Sequence, residues 1–146
     1  MKKSLKRIIL LGLILFFGYL IYLNHLVKGA LSSEIQESEK INQIEYPLEG
    51  YPKEMVNMLL LIEDQSFFQH WGVDFKEIVR VFYGYFLEDR PIRGASTITQ
   101  QLIKNTLLSR DKTLSRKIDE VLMAMLMELN YDKNYILERY MNTVYL

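Results

Sequence analysis

Two adjacent carboxylates, Glu63 and Asp64, end an apolar stretch that runs from Met55 to Ile62. If this stretch is a helix, Leu59 and Leu60 lie four and three residues before Glu63, which places its carboxylate over the apolar face. A carboxylate deprived of water accepts a proton more readily, so the position predicts a general base. The alternative is an acidic pair at a helix end that faces solvent.

A second stretch, from Gly94 to Asn105, has the residue types that bind anions. Ser96 and Thr97 lead into a predicted helix start, where free N–H groups and the helix dipole favour a negative charge. Lys104, about two turns further on, adds a positive charge. The pattern therefore suits a phosphate group, and the alternative is an ordinary capped helix with a solvated lysine.

Charged residues recur on a later predicted helix. Arg116 and Glu120 are four residues apart, so they can pair on one helix face. A plain surface ion pair is the alternative, and Glu128, further round the same helix, is expected to stabilise the fold. His70 has no second histidine or cysteine nearby, so we expect it to fix its loop by hydrogen bonding and predict no metal site on it.

These motifs occur in a set order along the chain. The first reads Glu63-Asp64-x-x-Phe-x-x-His70-x-Gly-x-Asp, the second runs from Gly94 to Asn105, and the third begins at Arg116. A fourth extends over 133–142. Together they resemble the peptidoglycan glycosyltransferases, glycosyltransferase family 51, which occur alone or at the front of class A penicillin-binding proteins. The resemblance covers roughly Pro52 to the C-terminus.

The resemblance implies polymerisation of lipid II, a disaccharide-pentapeptide carried on undecaprenyl pyrophosphate, by inverting transfer with release of the lipid pyrophosphate. Glu63 matches the catalytic base of the family, and Glu120 matches its second functional carboxylate. No cofactor is required, but a divalent cation (Mg or Mn) at the pyrophosphate is compatible with the family. The residues that match substrate contacts are Asp64, His70, Ser96, Thr97, Gln100, Gln101, Lys104, Asn105, Arg116 and Lys117.

Composition limits the classes of protein that the chain can form. Its 146 residues suffice for one domain, and its formal net charge is +0. Four of the 18 basic residues lie within the first seven positions, which leaves 14 against 18 acidic residues beyond them. No basic stripe survives for nucleic-acid binding. The chain contains no cysteine, which excludes disulfides and a thiolate metal site.

The N-terminal region predicts a membrane anchor. Residues 8–27 form an apolar stretch long enough to cross a bilayer core, and the basic residues 1–7 precede it. The positive-inside rule then places residues 1–7 in the cytoplasm and the catalytic domain outside a bacterial cell membrane. A cleaved signal peptide is the alternative. Residues 28–51 are expected to be a stalk, irregular from Ser32, and residues 52–146 a partial glycosyltransferase domain.

Helical periodicity without strand-like alternation predicts an all-α domain, and the resemblance implies a lysozyme-like fold. Helix starts are predicted at Asp74, Thr97, Thr113 and Asp132. The predicted apolar face of the helix after Asp74 consists of Ile78, Val79, Phe82 and Phe86. After Thr113 it consists of Leu114, Ile118, Val121, Leu122, Met125 and Leu129. After Asp132 it consists of Ile136, Leu137, Tyr140, Met141 and Val144.

The last residues lead to a further expectation. The family pattern continues beyond Leu146, so the chain is expected to be a truncated fragment whose final helix lacks a partner for its apolar side. The function classes are then a lipid II glycosyltransferase acting on lipid II and the growing glycan chain, or a non-catalytic remnant that binds lipid-linked substrate or cell-wall synthesis proteins. A muramidase-like hydrolase, which also uses paired carboxylates, is a third class.

Overall fold

A computed structural model gives the structure of the protein and describes residues 2–41, 46–87, 94–109, 111 and 113–145. The described residues form six α-helices and no β-strand, as the sequence predicts. The helices are α1 (Lys2–Ile41), α2 (Lys53–Glu63), α3 (Phe75–Leu87), α4 (Ile98–Thr106), α5 (Leu114–Asn130) and α6 (Lys133–Tyr145).

Helix α1 contains the predicted membrane anchor. Its segment Lys3–Ala30 is long and apolar enough to cross a membrane, with a mean hydropathy of 2.0. The expectation of irregular chain from Ser32 is wrong as far as Ile41, because α1 continues to that residue. Ser32 to Ile41 holds no proline or glycine and is rich in glutamate and glutamine, which favour a helix.

The C-terminal half of the predicted span packs on α5 rather than standing free. Leu23 and Val27 are buried there. Two polar contacts join the same helices: the Tyr19 hydroxyl donates to Asp119 Oδ1, and Asn130 Nδ2 donates to Asn24 Oδ1 at 2.7 Å. The predicted anchor is therefore attached to the domain along about two helical turns, from Tyr19 to Val27.

The predicted helix starts are confirmed by their caps. Thr97 and Gln100 form a reciprocal capping box at the start of α4. The Thr113 hydroxyl accepts from the Arg116 backbone N–H at the start of α5. Asp132 Oδ1 accepts from Tyr135 N at 2.9 Å before α6, and Asp74 Oδ1 accepts from Glu77 N at 2.9 Å before α3. Short polar side chains thus set the boundaries of these helices.

Helix α4 lies at the centre of the domain, in contact with α5 and α6. Ile98, Leu102 and Ile103 on α4 are fully buried. The predicted apolar face of α6 is confirmed for four residues, and Val144 lies outside the described side chains. The expectation that this face lacks a partner is wrong, because α4 covers it. The buried residues of the α6 face are Ile136, Leu137, Tyr140 and Met141.

The predicted core face of α3 is wrong. Val79, Phe82 and Phe86 are exposed, Ile78 is half-buried, and Gly84 is the buried residue on this helix. Periodicity correctly found an apolar stripe, but a stripe does not state whether protein or another apolar medium covers it. The exposed face of α3 is contiguous enough for Phe82 and Phe86 to stack.

The predicted face of α5 is also wrong, because its most buried residues include a glutamate. Leu114, Ile118, Met125 and Leu129 are exposed and Val121 and Leu122 are half-buried, whereas Glu120, Met123, Ala124 and Met127 are buried. A charge at position 120 is tolerated because basic side chains pair with it. Hydrophobicity alone therefore places the face on nearly the opposite side of the helix.

Gly72 explains why Ala124 is buried. Gly72 has a φ of 81°, a region that favours glycine. A Cβ atom at Gly72 would lie 2.6 Å from the carbonyl carbon of Ala124. The loop of the first motif therefore lies directly against the backbone of α5, and only a residue without a side chain fits there.

Candidate active site

Glu63 is the last residue of α2, and its side chain is exposed. The expected burial over the apolar face is therefore wrong. Leu59, one turn earlier, points into the core, but α2 ends at Glu63 and its final turn reaches the edge of a cleft. Glu63 Oε2 accepts a hydrogen bond from Gln101 Nε2 at 2.8 Å. No described residue is bonded to its other oxygen.

The cleft beside Glu63 has a volume of about 530 Å³. Its walls come from the end of α2, the start of α3 and the loop before α4. Among the predicted substrate contacts, Asp64, Ser96 and Thr97 line it together with Glu63. The first and second motifs thus face one another across an open, mostly polar space.

Glu120 lies in a buried cluster of charges and does not line this cleft. The predicted pair with Arg116 is confirmed, with Nη1 3.2 Å from Glu120 Oε2. Glu120 Oε1 accepts from Lys117 Nζ and, at 3.3 Å, from Gln100 Nε2. Both oxygens are engaged, so this carboxylate organises cations rather than exchanging a proton in the cleft.

One contact connects the buried cluster to the cleft. Lys117 Nζ also donates to Ser96 Oγ at 3.0 Å, and its side chain is 43% exposed. Arg116 Nε is buried, and no described residue accepts a hydrogen bond from it. The Lys117 ammonium, half-exposed beside Ser96, is suited to an anion at this end of the cleft, whereas Arg116 does not line the cleft.

Asp64 and His70 form a second buried group. His70 Nε2 lies 3.0 Å from Asp64 Oδ2, which confirms the expectation that His70 fixes its loop. Asp64 Oδ2 also accepts from Ile98 N at 3.1 Å. Asp64, although it lies at the cleft, thus ties the first motif to the first turn of α4, next to Glu63.

Sequence reasoning missed the contacts of Glu128 that complete this group. Glu128 Oε1 accepts from Thr99 Oγ1 at 2.6 Å and from Lys133 Nζ at 2.7 Å. It lies 4.0 Å from His70 Nδ1, so one carboxylate joins residues of all four motifs. The sequence placed Glu128 correctly as a stabilising residue, but helical spacing does not reveal partners on other helices.

Asp74, at the rim of the cleft, is a further residue that sequence reasoning used only as a cap. Its carboxylate accepts from the Ser66 hydroxyl and from Glu77 N. Burial acts to raise the pKa of Asp74, but these hydrogen bonds outweigh it and leave the pKa below its usual value. Asp74 is therefore a structural anion that holds the loop between α2 and α3.

Lys104 and Asn105 are both exposed, and neither lies among the residues around the cleft. They occupy the last turns of α4, about 10 Å from its first residue along the helix axis. The structure thus does not bring these two predicted contacts together with Ser96 and Thr97.

The described residues contain no group of three or more histidine, cysteine or acidic side chains that could hold a metal ion. The carboxylate expected near a divalent cation, Glu120, has both oxygens occupied by cations and an amide. This donor set does not fit Mg or Mn, and we assign no step to a metal.

Sequence comparisons agree with these motifs. A sequence model of the Transglycosylase family matches residues 28–146. The chain is 39% identical over 110 residues to penicillin-binding protein 1B of Haemophilus influenzae, an alignment that covers 75% of this chain and 14% of that protein. It is 43% identical over 100 residues to penicillin-binding protein 1B of Escherichia coli, with 68% and 12% covered.

Penicillin-binding protein 1A of Aquifex aeolicus is 34% identical over an alignment of 166 positions that covers all of this chain and 23% of that protein. The chain therefore spans less than a quarter of the length of each of these relatives. The family match covers most of the chain, including every motif that forms the cleft and the two buried groups. The chain belongs to the peptidoglycan transglycosylase family.

Proposed function

We propose that the chain carries the site that polymerises lipid II into glycan strands, with Glu63 as general base. The observation that carries this proposal is the position of Glu63. It stands at an open cleft, with one carboxylate oxygen held by Gln101 and the other without a described partner. A base needs one oxygen that is oriented and one that the reacting hydroxyl can reach.

In the proposed step, the 4-hydroxyl of the acceptor sugar attacks the anomeric carbon of the lipid-linked donor. Glu63 takes the hydroxyl proton, a new glycosidic bond forms, and the bond from the anomeric carbon to the pyrophosphate oxygen breaks. The pair of electrons leaves with undecaprenyl pyrophosphate, and the anomeric configuration inverts. Pyrophosphate is a good leaving group, so the step does not require a second carboxyl as general acid.

The leaving pyrophosphate requires positive charge. Lys117 supports this role because it reaches Ser96 at the cleft and remains 43% exposed. Arg116 pairs with the same carboxylate as Lys117 and adds a second positive charge beside it. Glu120 holds both cations in place, which lets them stabilise charge as it develops on the leaving group.

The proposal includes a location. Residues 1–7 are basic and precede the apolar segment of α1, so we place them in the cytoplasm and the cleft on the outer side of the membrane. A cysteine at Ser33, past the span, should then react with an impermeant thiol reagent on intact cells. Labelling only after lysis would contradict this orientation.

Incubation of the membrane-embedded chain with labelled lipid II tests the activity directly. Formation of polymer with release of undecaprenyl pyrophosphate is the expected result. Binding of lipid II without polymer would instead identify a non-catalytic lipid-binding form, and hydrolysis of finished glycan would identify a muramidase. Cell-wall synthesis proteins are further proposed partners, which crosslinking in cells would test.

A further inference from the structure

We propose that Tyr140 is a positioning residue for the reaction, acting on Glu63 through Gln101. The inference rests on the proposed function for its kinetic consequence, but its structural basis is independent. Tyr140 lies on α6, Gln101 on α4 and Glu63 at the end of α2. These three residues form a continuous chain of hydrogen bonds, which we call the Tyr140–Gln101–Glu63 chain.

The direction of each bond follows from the chemistry of the groups. The Tyr140 hydroxyl donates to Gln101 Oε1 at 3.1 Å, and Gln101 Nε2 donates to Glu63 Oε2 at 2.8 Å. An ionised carboxylate only accepts hydrogen bonds, so it requires the nitrogen end of the amide. The phenol meets the oxygen end, and a hydroxyl can donate to it.

A glutamine amide has one donor end and one acceptor end, and a half-turn exchanges them. Exchange in this position would place Gln101 Oε1 against Glu63 Oε2, two acceptors with no proton between them. The Glu63 carboxylate, which only accepts, selects the productive orientation, and the Tyr140 hydroxyl then donates to the amide oxygen and holds the amide there. Tyr140 thus fixes the position of the Gln101 amide that the carboxylate meets.

Tyr140 is held in place by the packing around it. It is only 3% exposed, and it lies on the buried face of α6 that packs against α4. Its neighbours Leu137 and Met141 on this face are buried as well. Gln101 is half-buried and Glu63 is exposed. The buried Tyr140 therefore restrains Gln101, and Gln101 restrains the Glu63 carboxylate at the cleft.

The kinetic test is a double-mutant cycle in the full chain, using Tyr140→Phe and Gln101→Ala. Loss of one oriented hydrogen bond should lower kcat for polymerisation about tenfold, with KM for lipid II within about twofold. In the Gln101→Ala background, Tyr140→Phe should have no further effect on kcat. Tyr135→Phe removes a hydroxyl from the same helix and should leave kcat unchanged. An equal loss of kcat on both backgrounds would show that Tyr140 acts on packing and would overturn the proposal.

A second measurement needs no activity. In protein labelled with ¹⁵N-glutamine, the side-chain NH₂ resonances of Gln101 report the orientation of its amide. Tyr140→Phe should shift these resonances, and Glu63→Ala should shift the same pair. Unchanged Gln101 resonances in Tyr140→Phe would refute the hydrogen-bond chain. If the parent chain made no polymer, the proposed function would fail, and this spectrum would still decide the role of Tyr140.

Discussion

Glu63 and Glu120 are both carboxylates on helices next to α4, but their surroundings are opposite. Glu63 is exposed at a cleft and accepts a single described hydrogen bond, from Gln101. Glu120 is 1% exposed and accepts from Arg116, Lys117 and Gln100. Of two consecutive amides, Gln100 thus donates to Glu120 and Gln101 donates to Glu63.

This difference separates proton transfer from charge organisation. A base must gain and lose a proton while its partners stay in place, which suits a carboxylate with one free oxygen. A carboxylate that accepts from two cations and an amide fixes those cations in place, and its removal leaves them uncompensated. Substitutions at the two positions should therefore fail in different ways.

The largest effect is expected for Glu63→Gln. The amide keeps the shape of the side chain but cannot take a proton, so polymerisation should fall about 10²–10⁴-fold. Stability should remain close to that of the parent, because the side chain is exposed. Polymer yield from labelled lipid II and thermal unfolding, measured on the same preparation, check both expectations.

Glu54→Gln is the matched control, since Glu54 is an exposed acid on the same helix. It should polymerise at the parental rate. If Glu63→Gln polymerised within a few-fold of this control, Glu63 would not be the general base. The proposed difference in role between Glu63 and Glu120 would then be wrong.

The second prediction concerns Glu120→Gln. Loss of this charge leaves the mostly buried Arg116 without its anion, and we expect a free energy of unfolding lower by about 3 kcal/mol. Polymerisation should fall as well, because Lys117 loses its partner. Denaturant unfolding with far-UV circular dichroism measures the change. A loss of activity at parental stability would show that Glu120 has a direct chemical role.

The third prediction tests the point where the two regions meet. Thr97 caps α4, and its hydroxyl also donates to the Gly72 carbonyl at 2.6 Å. Thr97→Ala should lower the free energy of unfolding by about 1–2 kcal/mol. Thr143→Ala, which removes an exposed hydroxyl from α6, should change it by less than about 0.5 kcal/mol. Equal losses of stability in Thr97→Ala and Thr143→Ala would mean that the cap does not join the two regions.

The smallest effect should come from Asp74, the other anion at the rim of the cleft. Because its folded pKa lies below the usual value of 3.8, its stabilising contribution is present at neutral pH and is lost as the pH falls below that value and through the lower folded pKa. Asp74→Ala should therefore destabilise the chain by about 0.5–1 kcal/mol at neutral pH and by less at pH ~3. Urea unfolding at both pH values checks this. A difference in the free energy of unfolding between parent and variant that is larger at pH ~3 than at neutral pH would contradict it.

The sequence was most informative where one local interaction decides the structure. The caps at Asp74, Thr97, Thr113 and Asp132 depend on side chains within a few residues of the backbone groups that they bind, so spacing alone locates these helix starts. The pair between Arg116 and Glu120 is local in the same sense.

The sequence failed where a distant partner decides which side of a helix is buried. The α3 stripe is apolar but exposed, and the buried face of α5 includes Glu120. Gln101 could be assigned only by resemblance, since its partners Glu63 and Tyr140 are 38 and 39 residues away along the chain. Contacts of that range depend on how helices assemble, which periodicity does not encode.

The attachment of α1 to α5 has a consequence for where the chemistry occurs. Tyr19, bonded to Asp119, lies eight residues before Val27, the end of the segment assigned to the membrane, or about 12 Å along the helix axis. Asp119 directly precedes Glu120 in the chain. The height of the cation cluster relative to the bilayer is thus set by a helix-to-helix contact, not by a flexible tether. The apolar residues of α1 before Tyr19 are therefore held at a constant distance from these cations, and a lipid-carried substrate would meet both in one fixed arrangement.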